Sequence, residues 1–441
     1  MKRLLPVLVL LFFLQPLFPY PIDGYDYTGI RRLIQQRAVM EDSIRGRRIP
    51  PGALKYRNEI ELNLVDRELP ETDSLMTTTD NLQRDILKLL PNLGRAYSVA
   101  LMDITPGRDI AYAEYKPDNG YQPGSVGKLA VITGLFCELE NLFPDFEQRM
   151  IFLKNHKVKA NDVGIPDHHT VPFYDTEREK FYKRHLRSSD EFSLYEWADH
   201  VMSVSSNGAA SVVWRELVLM RHFAQEYPVS EERAEEFFRT YPRKNLSEYA
   251  VAVVNEPLRE LGIGKDEWRL GSLFTRTGKR KIPGGGGSIG TPKGLMKWMV
   301  ALERGDIVDR ESSLEFKRLM YMTDRRIRYA KSNALDSAAV YFKSGSFYSC
   351  DRTKNPNCGK YRGNRYNYMN SVCIVEQPDG NTYLVALMTN VLNRNSAYDH
   401  YILARRFDNA IRGLGPVQRE ESEADVMKVV DGGGEAAVDD D

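Results

Sequence analysis

Residues 121–136 read YQPGSVGKLAVITGLF and contain the pattern that decides the fold. Ser125 stands just before an apolar run of helical character, and Lys128 follows three residues later. Because residues i and i+3 share one face of a helix, the amine of Lys128 can reach the hydroxyl of Ser125. An adjacent amine with a depressed pKa can remove the proton that makes a serine hydroxyl a poor nucleophile. The pattern therefore predicts a nucleophile at a helix N-terminus, where backbone N–H groups stabilise an oxyanion.

Two further motifs give this pattern its weight. On its own, S-x-x-K should arise by chance roughly twice in a chain of this length, and a capping serine with a solvated lysine would explain it. In HVMSVSSNGAASVVWREL, however, Ser205 and Asn207 form S-x-N. In the strand-like segment VYFKSGSFY, Lys343, Ser344 and Gly345 form K-S-G.

In this order the three motifs resemble S-x-x-K, S-D-N and K-T-G of the penicillin-recognising serine hydrolases, most closely the class A β-lactamases. The resemblance spans about residues 77–413 and includes a strand pair before the nucleophile helix, the GTPKGLMKWMVALERG helix, and two strands and a helix after K-S-G. It implies an α+β fold of the β-lactamase and transpeptidase type. We expect an antiparallel five-stranded sheet flanked by helices, with an inserted, mostly helical subdomain.

The resemblance implies a catalytic role for three residues of this chain. Ser125 would attack the substrate carbonyl and form an acyl-enzyme, with Lys128 as the proton acceptor. Ser205 would relay a proton toward the leaving nitrogen. No cofactor and no metal ion are expected in this chemistry.

The resemblance also assigns residues to substrate binding. Asn207 would hydrogen-bond the amide of the substrate side chain, Lys343 and Ser344 would bind the substrate carboxylate, and Gly345 would let a substrate strand approach closely. Lys343 would also help to keep the amine of the nucleophile motif neutral. The oxyanion hole would consist of the backbone N–H groups of Ser125 and Ser346.

The sequence departs from the family pattern at three places. Ser206 replaces the usual aspartate of S-D-N, and a serine replaces the threonine of K-T-G, but both hydroxyls and the asparagine remain. The glutamate that activates deacylating water in class A β-lactamases should follow the Leu-Gly and Arg-Leu pattern of LGIGKDEWRLGSLFTRTGK, where Phe274 takes its place. Glu256 and Glu267 are the alternatives, and for each a surface helix carboxylate is the simpler interpretation.

Three functions remain open at this point. A β-lactamase would open β-lactam rings through the Ser125 acyl-enzyme, and a D-alanyl-D-alanine carboxypeptidase or endopeptidase would use the same acylation on peptidoglycan peptides. The missing glutamate favours the peptidase, whereas the class A-like architecture favours the β-lactamase. A non-catalytic wall-binding or sensor protein would not need the whole nucleophile set.

The N-terminus MKRLLPVLVLLFFLQPLFPYPIDG has the basic and apolar regions of an export signal, and its apolar stretch is short for a membrane span. We expect a periplasmic or secreted protein, anchored to the membrane if the signal is not cleaved. The following segment includes EIELNLV, whose alternation is typical of an edge strand. The predicted organisation is a signal peptide or anchor at 1–20, a linker or wrapping segment at 21–76, a hydrolase domain at 77–415 with a helical insertion at about 143–262, and an acidic disordered tail at 416–441.

Charge argues against a nucleic-acid partner, because 61 basic and 61 acidic residues give a formal net charge of zero. We expect the protein to be a monomer, and we expect its substrate to be a β-lactam or a D-Ala-D-Ala-type peptide. Cys350 and Cys358 flank the polar loop SCDRTKNPNCGKY, which would suit a local disulfide in an exported chain.

The adjacent residues His168 and His169 do not predict a metal site, since no H-E-x-x-H or spaced ligand set accompanies them. A loop or surface pair is the simpler interpretation. The glycine run GGGGSIG is not followed by G-K-[ST] and predicts a flexible loop instead of a phosphate-binding loop.

Overall fold

The computed structural model describes residues 24–45, 50–90, 94, 96–323 and 326–415. The predicted export signal at 1–20 and the predicted acidic tail at 416–441 lie outside the described residues. None of the helices within the described ranges has both the length and the apolar composition required to cross a membrane.

Helices surround a central sheet. In chain order they are α1 Gly24–Thr28, α2 Arg32–Met40, α3 Thr72–Leu75, α4 Asp80–Leu89, α5 Lys128–Leu142, α6 Phe146–Asn155, α7 Leu194–Met202, α8 Asn207–Phe223, α9 Glu231–Thr240, α10 Arg243–Glu260, α11 Arg276–Lys281, α12 Pro292–Arg304, α13 Arg310–Tyr321 and α14 Ala397–Arg412. The strands are β1 Tyr97–Asp103, β2 Ala111–Tyr115, β3 Lys157–Lys159, β4 Thr170–Asp175, β5 Lys180–His185, β6 Glu191–Ser193, β7 Trp268–Arg269, β8 Ile289–Gly290, β9 Ala339–Ser349, β10 Tyr366–Glu376 and β11 Thr382–Asn390.

The central sheet has five strands in the order β2-β1-β11-β10-β9, and all of its neighbouring pairs are antiparallel. The predicted α+β fold and five-stranded antiparallel sheet are therefore confirmed. The two strands predicted before the nucleophile and the three predicted after it are these five.

Alternation along the strands divides the core into two layers. Met102 and Ile374 point toward one face and join a large cluster with helices α5, α8 and α12, whereas Leu101 and Val375 point toward the other and join a cluster with α4 and α14. Successive strand residues point to opposite faces of the sheet. Because helices cover both faces, the residues on both faces are apolar. Lys343 belongs to the same alternate series as Tyr341, so it faces the layer that contains α5 and α8.

The predicted helical insertion contains four strands as well as helices. β3 pairs with β6, and β4 and β5 form a hairpin. The rings of Phe173 and Tyr182 stack across this hairpin with centroids 5.3 Å apart, and the guanidinium of Arg184 lies 3.9 Å from the Phe173 centroid. Cross-strand aromatic pairs of this kind stabilise a hairpin, and the prediction of a largely helical segment missed them.

The edge strand predicted at EIELNLV is wrong. A short 3₁₀ turn at Arg57–Glu59 is followed by a loop, in which Ile60 and Leu64 are both buried. The loop is fixed by Glu303, whose carboxylate accepts hydrogen bonds from the backbone and side chain of Asn63 at 2.6 and 3.0 Å. In this segment, hydrogen bonds to the Glu303 carboxylate take the place of the backbone hydrogen bonds that a strand would form.

Candidate active site

Ser125 lies in a 3₁₀ turn at Gly124–Gly127 that leads directly into α5, so the predicted helix begins three residues later than its nucleophile. Strand β9 packs against this turn at two glycines. A Cβ on Gly345 would lie 2.1 Å from the carbonyl oxygen of Pro123, and a Cβ on Gly124, which has φ +55°, would lie 2.8 Å from the backbone nitrogen of Ser346. The missing side chain of Gly345 therefore makes room for the nucleophile turn itself; its contact with a substrate strand stays a prediction.

Lys128 is completely buried and joins two of the sequence motifs. Its Nζ donates to Ser125 Oγ at 3.1 Å, to the Ser205 carbonyl oxygen at 2.6 Å and to Asn207 Oδ1 at 2.7 Å. These acceptors are neutral oxygens, which bind an ammonium without the strong charge stabilisation that a carboxylate gives. The amine is thus held within reach of the nucleophile.

Ser205 connects the nucleophile lysine to the third motif. Its backbone has φ +61°, a region that costs a non-glycine residue about 1–3 kcal/mol and clusters at functional sites. Its Oγ accepts a hydrogen bond from Lys343 Nζ at 2.7 Å and lies 3.4 Å from Lys128 Nζ. A continuous chain of polar contacts runs from Ser125 through Lys128 and Ser205 to Lys343.

A carboxylate stands beside the position where the family pattern has its aspartate. Ser206 Oγ donates to Asp167 Oδ2 at 2.7 Å, and the backbone N–H of Gly208 donates to the same oxygen at 2.8 Å. Ser206 also caps α8 by accepting from the backbone N–H of Ala209. A carboxylate at a helix N-terminus is stabilised by the dipole and the free N–H groups. Sequence reasoning missed Asp167 because it lies 39 residues from Ser206 in the chain.

The other oxygen of Asp167 holds His169. Asp167 Oδ1 lies 2.7 Å from His169 Nδ1 and also accepts from the His169 backbone N–H at 3.0 Å. Burial acts to raise the pKa of Asp167, but hydrogen bonds from His169, Gly208 and Ser206 hold it well below its usual range. Burial, assisted by the charge of Lys128 and opposed by Asp167, lowers the pKa of His169 to about 4.

The site opens into a cleft of about 620 Å³, with a smaller recess of about 60 Å³ beside it. Ser125 and His169 line both cavities, and within the described residues neither is lined by Asp or Glu. The basic side chains of the two walls are Lys279, Arg328, Lys343 and Lys360. A basic cleft of this size suits a small anionic substrate.

Arg328 is a second residue that sequence reasoning missed. It is buried, has φ +56°, and donates from Nη1 to the carbonyl oxygen of Gly345 at 2.6 Å. It lines the recess together with Ser344 and Lys343. A guanidinium beside the K-S-G strand strengthens the positive potential at the end of the cleft predicted to bind a carboxylate.

Phe274 lies beside the nucleophile lysine, with Lys128 Nζ 5.0 Å from the centroid of its ring. It lines the cleft, so an aromatic ring stands where the resemblance places the deacylating glutamate. Glu256 in α10 pairs with Arg221, and Glu267 pairs with Lys297 at 3.0 Å; neither lines the cleft or the recess.

The two adjacent histidines differ in exposure. The side chain of His168 is 69% exposed and that of His169 only 13%, although both line the cleft. Among the described residues, Asp167, His168 and His169 form the one group of three or more His, Cys, Asp or Glu side chains whose possible ligand atoms lie within 4.8 Å of one another. Both Asp167 oxygens accept hydrogen bonds from protein donors, and one of them contacts the His169 ring. Asp167 and His169 therefore form a carboxylate–imidazole pair.

The cysteine prediction is confirmed for Cys350 and Cys358, which form a disulfide. The loop that it closes precedes Lys360 and Tyr361 of the cleft wall. Cys373 is buried, and Cys137 is partly buried in α5.

Fold and site together define a serine hydrolase that acts on amide bonds. The model of the Beta-lactamase enzyme family matches residues 81–405, so the chain belongs to that family.

Among solved structures, the fold is similar to a class A β-lactamase representative from Bacteroides cellulosilyticus DSM 14838 (14% identity, 77% of this chain and 99% of that one, TM-score 0.48). It is also similar to a β-lactamase from Chitinophaga pinensis DSM 2588 (13%, 76% and 100%, TM-score 0.49) and to PBP-A (13%, 77% and 99%, TM-score 0.47). A search of the curated proteins found no match.

Proposed function

We propose that this protein opens β-lactam rings through an acyl-enzyme on Ser125. Lys128, as the neutral amine, takes the Ser125 proton as Oγ attacks the amide carbonyl. The carbon–nitrogen bond breaks, Ser205 delivers its hydroxyl proton to the leaving nitrogen, and the Lys128 ammonium, 3.4 Å from Ser205 Oγ, returns a proton to Ser205. The observation that carries this proposal is the 3.1 Å contact between Lys128 Nζ and Ser125 Oγ inside a cluster of neutral oxygens.

The cleft walls supply binding and charge stabilisation. Lys343, Ser344 and Arg328 bind the carboxylate of the substrate, and Asn207 binds the amide of its side chain. The backbone N–H groups of Ser125 and Ser346 stabilise the oxyanion; removal of one such donor costs other enzymes about 10²–10³ in kcat.

A D,D-peptidase is the second candidate, and Phe274 is the observation that favours it. An aromatic ring cannot activate water, so an acyl-enzyme without another base would persist, as expected of a penicillin-binding protein that acts on D-Ala-D-Ala-type peptides.

Both candidates act outside the cytoplasm. The Cys350–Cys358 disulfide supports a periplasmic or secreted location, because such bonds persist in oxidising compartments.

Intact-protein mass spectrometry with benzylpenicillin and a cephalosporin tests the proposal. We expect a covalent adduct in the wild type and in Ser272→Ala, a control serine at the cleft wall. Ser125→Ala should form none. Rapid drug consumption with a short-lived adduct supports the β-lactamase, and an adduct that lasts for hours supports the peptidase. Adduct formation by Ser125→Ala would contradict both.

A further inference from the structure

Hydrolysis of an acyl-enzyme requires a base that removes a proton from the attacking water. The described walls of the cleft and recess contain no carboxylate, and Phe274 lies at the position where one was expected. Among the other residues of the cleft, His169 carries an imidazole that can accept a proton.

His169 has the geometry of a general base. It lines both cavities together with Ser125, and its Nδ1 lies 2.7 Å from Asp167 Oδ1. An ionised carboxylate only accepts hydrogen bonds, so Nδ1 carries the proton of this contact and Nε2 carries the lone pair. A carboxylate that fixes the tautomer of a histidine in this way is the arrangement found behind catalytic imidazoles on unrelated folds.

Asp167 is itself fixed to the nucleophile machinery. Its side chain is fully buried, and its second oxygen accepts from Ser206 and from Gly208, which flank Asn207 at the start of α8. The same asparagine accepts a hydrogen bond from Lys128. The imidazole of His169 is thereby held in a defined position relative to the S-x-N and S-x-x-K motifs.

The protonation state suits the role. With its pKa lowered to about 4, chiefly by burial, the imidazole of His169 is neutral across the physiological range. It is therefore available as a proton acceptor under the same conditions as the glutamate that this chain lacks.

We propose that His169 is the general base that hydrolyses the Ser125 acyl-enzyme, with Asp167 as its positioning residue. This inference rests on the proposed acylation of Ser125. Water loses a proton to His169 Nε2 as its oxygen attacks the ester carbonyl carbon. The bond from that carbon to Ser125 Oγ then breaks, Oγ takes the proton from the imidazolium, and the carboxylic acid product leaves.

Separate measurement of acylation and deacylation tests this role. Stopped-flow kinetics with a chromogenic cephalosporin gives both rate constants, and mass spectrometry follows the adduct. In His169→Asn we expect deacylation to fall about 100-fold, within the range of general-base catalysis, and the adduct to accumulate, while acylation changes less than threefold. His222→Asn, at an exposed histidine of α8 that lines neither cavity, is the matched control and should behave as the wild type.

The result for Asp167 distinguishes positioning from general damage. Asp167→Asn should slow deacylation without an equal loss of acylation, and its effect should be much less than additive with that of His169→Asn. Deacylation by His169→Asn within threefold of the wild type would overturn the proposal, as would an equal loss of both steps. A wild type that forms no Ser125 adduct would instead refute the acylation on which the proposal rests.

Discussion

Two buried lysines, Lys128 in the candidate site and Lys317 in α13, have opposite surroundings. Neither side chain reaches solvent. Lys317 Nζ lies 2.7 Å from Glu303 and 2.8 Å from Glu376, two carboxylates in the layer between the sheet and the helices. Lys128 instead donates to the oxygens of serine and asparagine described above.

This difference indicates that Lys317 has a structural role and Lys128 a chemical one. Burial acts to lower the pKa of Lys317, but the charges of Glu303 and Glu376 outweigh it and raise that pKa, so the ammonium is fixed. Neutral acceptors allow an amine to exchange a proton with a nearby hydroxyl. The two lysines therefore predict different consequences when each is replaced.

Replacement of the site lysine should have the largest effect. In Lys128→Met we expect the acylation rate constant to fall by about 10³-fold, because the proton acceptor is lost. Stopped-flow acylation measures the change, and the thermal midpoint reports whether the fold is retained. A folded variant that acylates at more than a tenth of the wild-type rate would contradict the role of Lys128 as proton acceptor.

Replacement of the structural lysine should cost stability instead of chemistry. Lys317→Met removes the lysine that pairs with Glu303 and one of the two lysines that pair with Glu376, and we expect a loss of about 3–5 kcal/mol in the free energy of unfolding. Urea denaturation measures this loss, and acylation by the folded variant should stay within threefold of the wild type. The double variant Lys317→Met with Glu376→Gln should recover part of the stability; no recovery would contradict an electrostatic cause.

The same ion cluster predicts an acid-sensitive fold. Burial alone would raise the pKa of Glu376, but Lys317 and Lys55 lower it from 4.5 to about 2. A carboxyl whose pKa is depressed on folding stabilises the fold above its unfolded pKa, and this contribution is lost as pH falls from about 4.5 to 2. Unfolding free energies measured across this range should decline less steeply in Glu376→Gln; an unchanged slope would contradict the assignment.

The smallest effect is expected at the aromatic ring beside the site lysine. A buried ammonium–ring contact contributes about 0.5–2 kcal/mol. In Phe274→Leu the ammonium form of Lys128 loses this contact, so acylation at neutral pH should rise by between about twofold and about 30-fold. Phe274→Tyr retains the ring and should match the wild type in the same assay. A tenfold loss in Phe274→Leu would mean that the ring has another function.

The sheet and the three motifs could be predicted from sequence because both depend on local patterns. Strand-like segments and the resemblance indicated the five strands, and Ser125 and Lys128 lie within one turn of each other. The relation of Ser205 and Lys343 to that turn came from the resemblance alone, since these residues are 138 positions apart. Tertiary contacts then brought the S-x-N and K-S-G motifs to Lys128.

Contacts with no local signature could not be predicted. Asp167 and Ser206 meet across 39 residues, and the segment IPDHHTVPF shows a histidine pair without showing that His169 is the more buried of the two. The β4–β5 hairpin is held by aromatic stacking that a helical interpretation of the insertion did not consider. The Asp167 contact depends on packing between distant segments, whereas the hairpin depends on side-chain pairing between adjacent strands.

Localisation of the acyl group is the most direct test of the central claim that Ser125 is the nucleophile. The adduct formed with benzylpenicillin would be trapped by acid, digested with protease and sequenced by tandem mass spectrometry. We predict that the added mass lies on Ser125, within the peptide that contains YQPGSVGK. An adduct on any other residue, with Ser125 unmodified, would contradict the account.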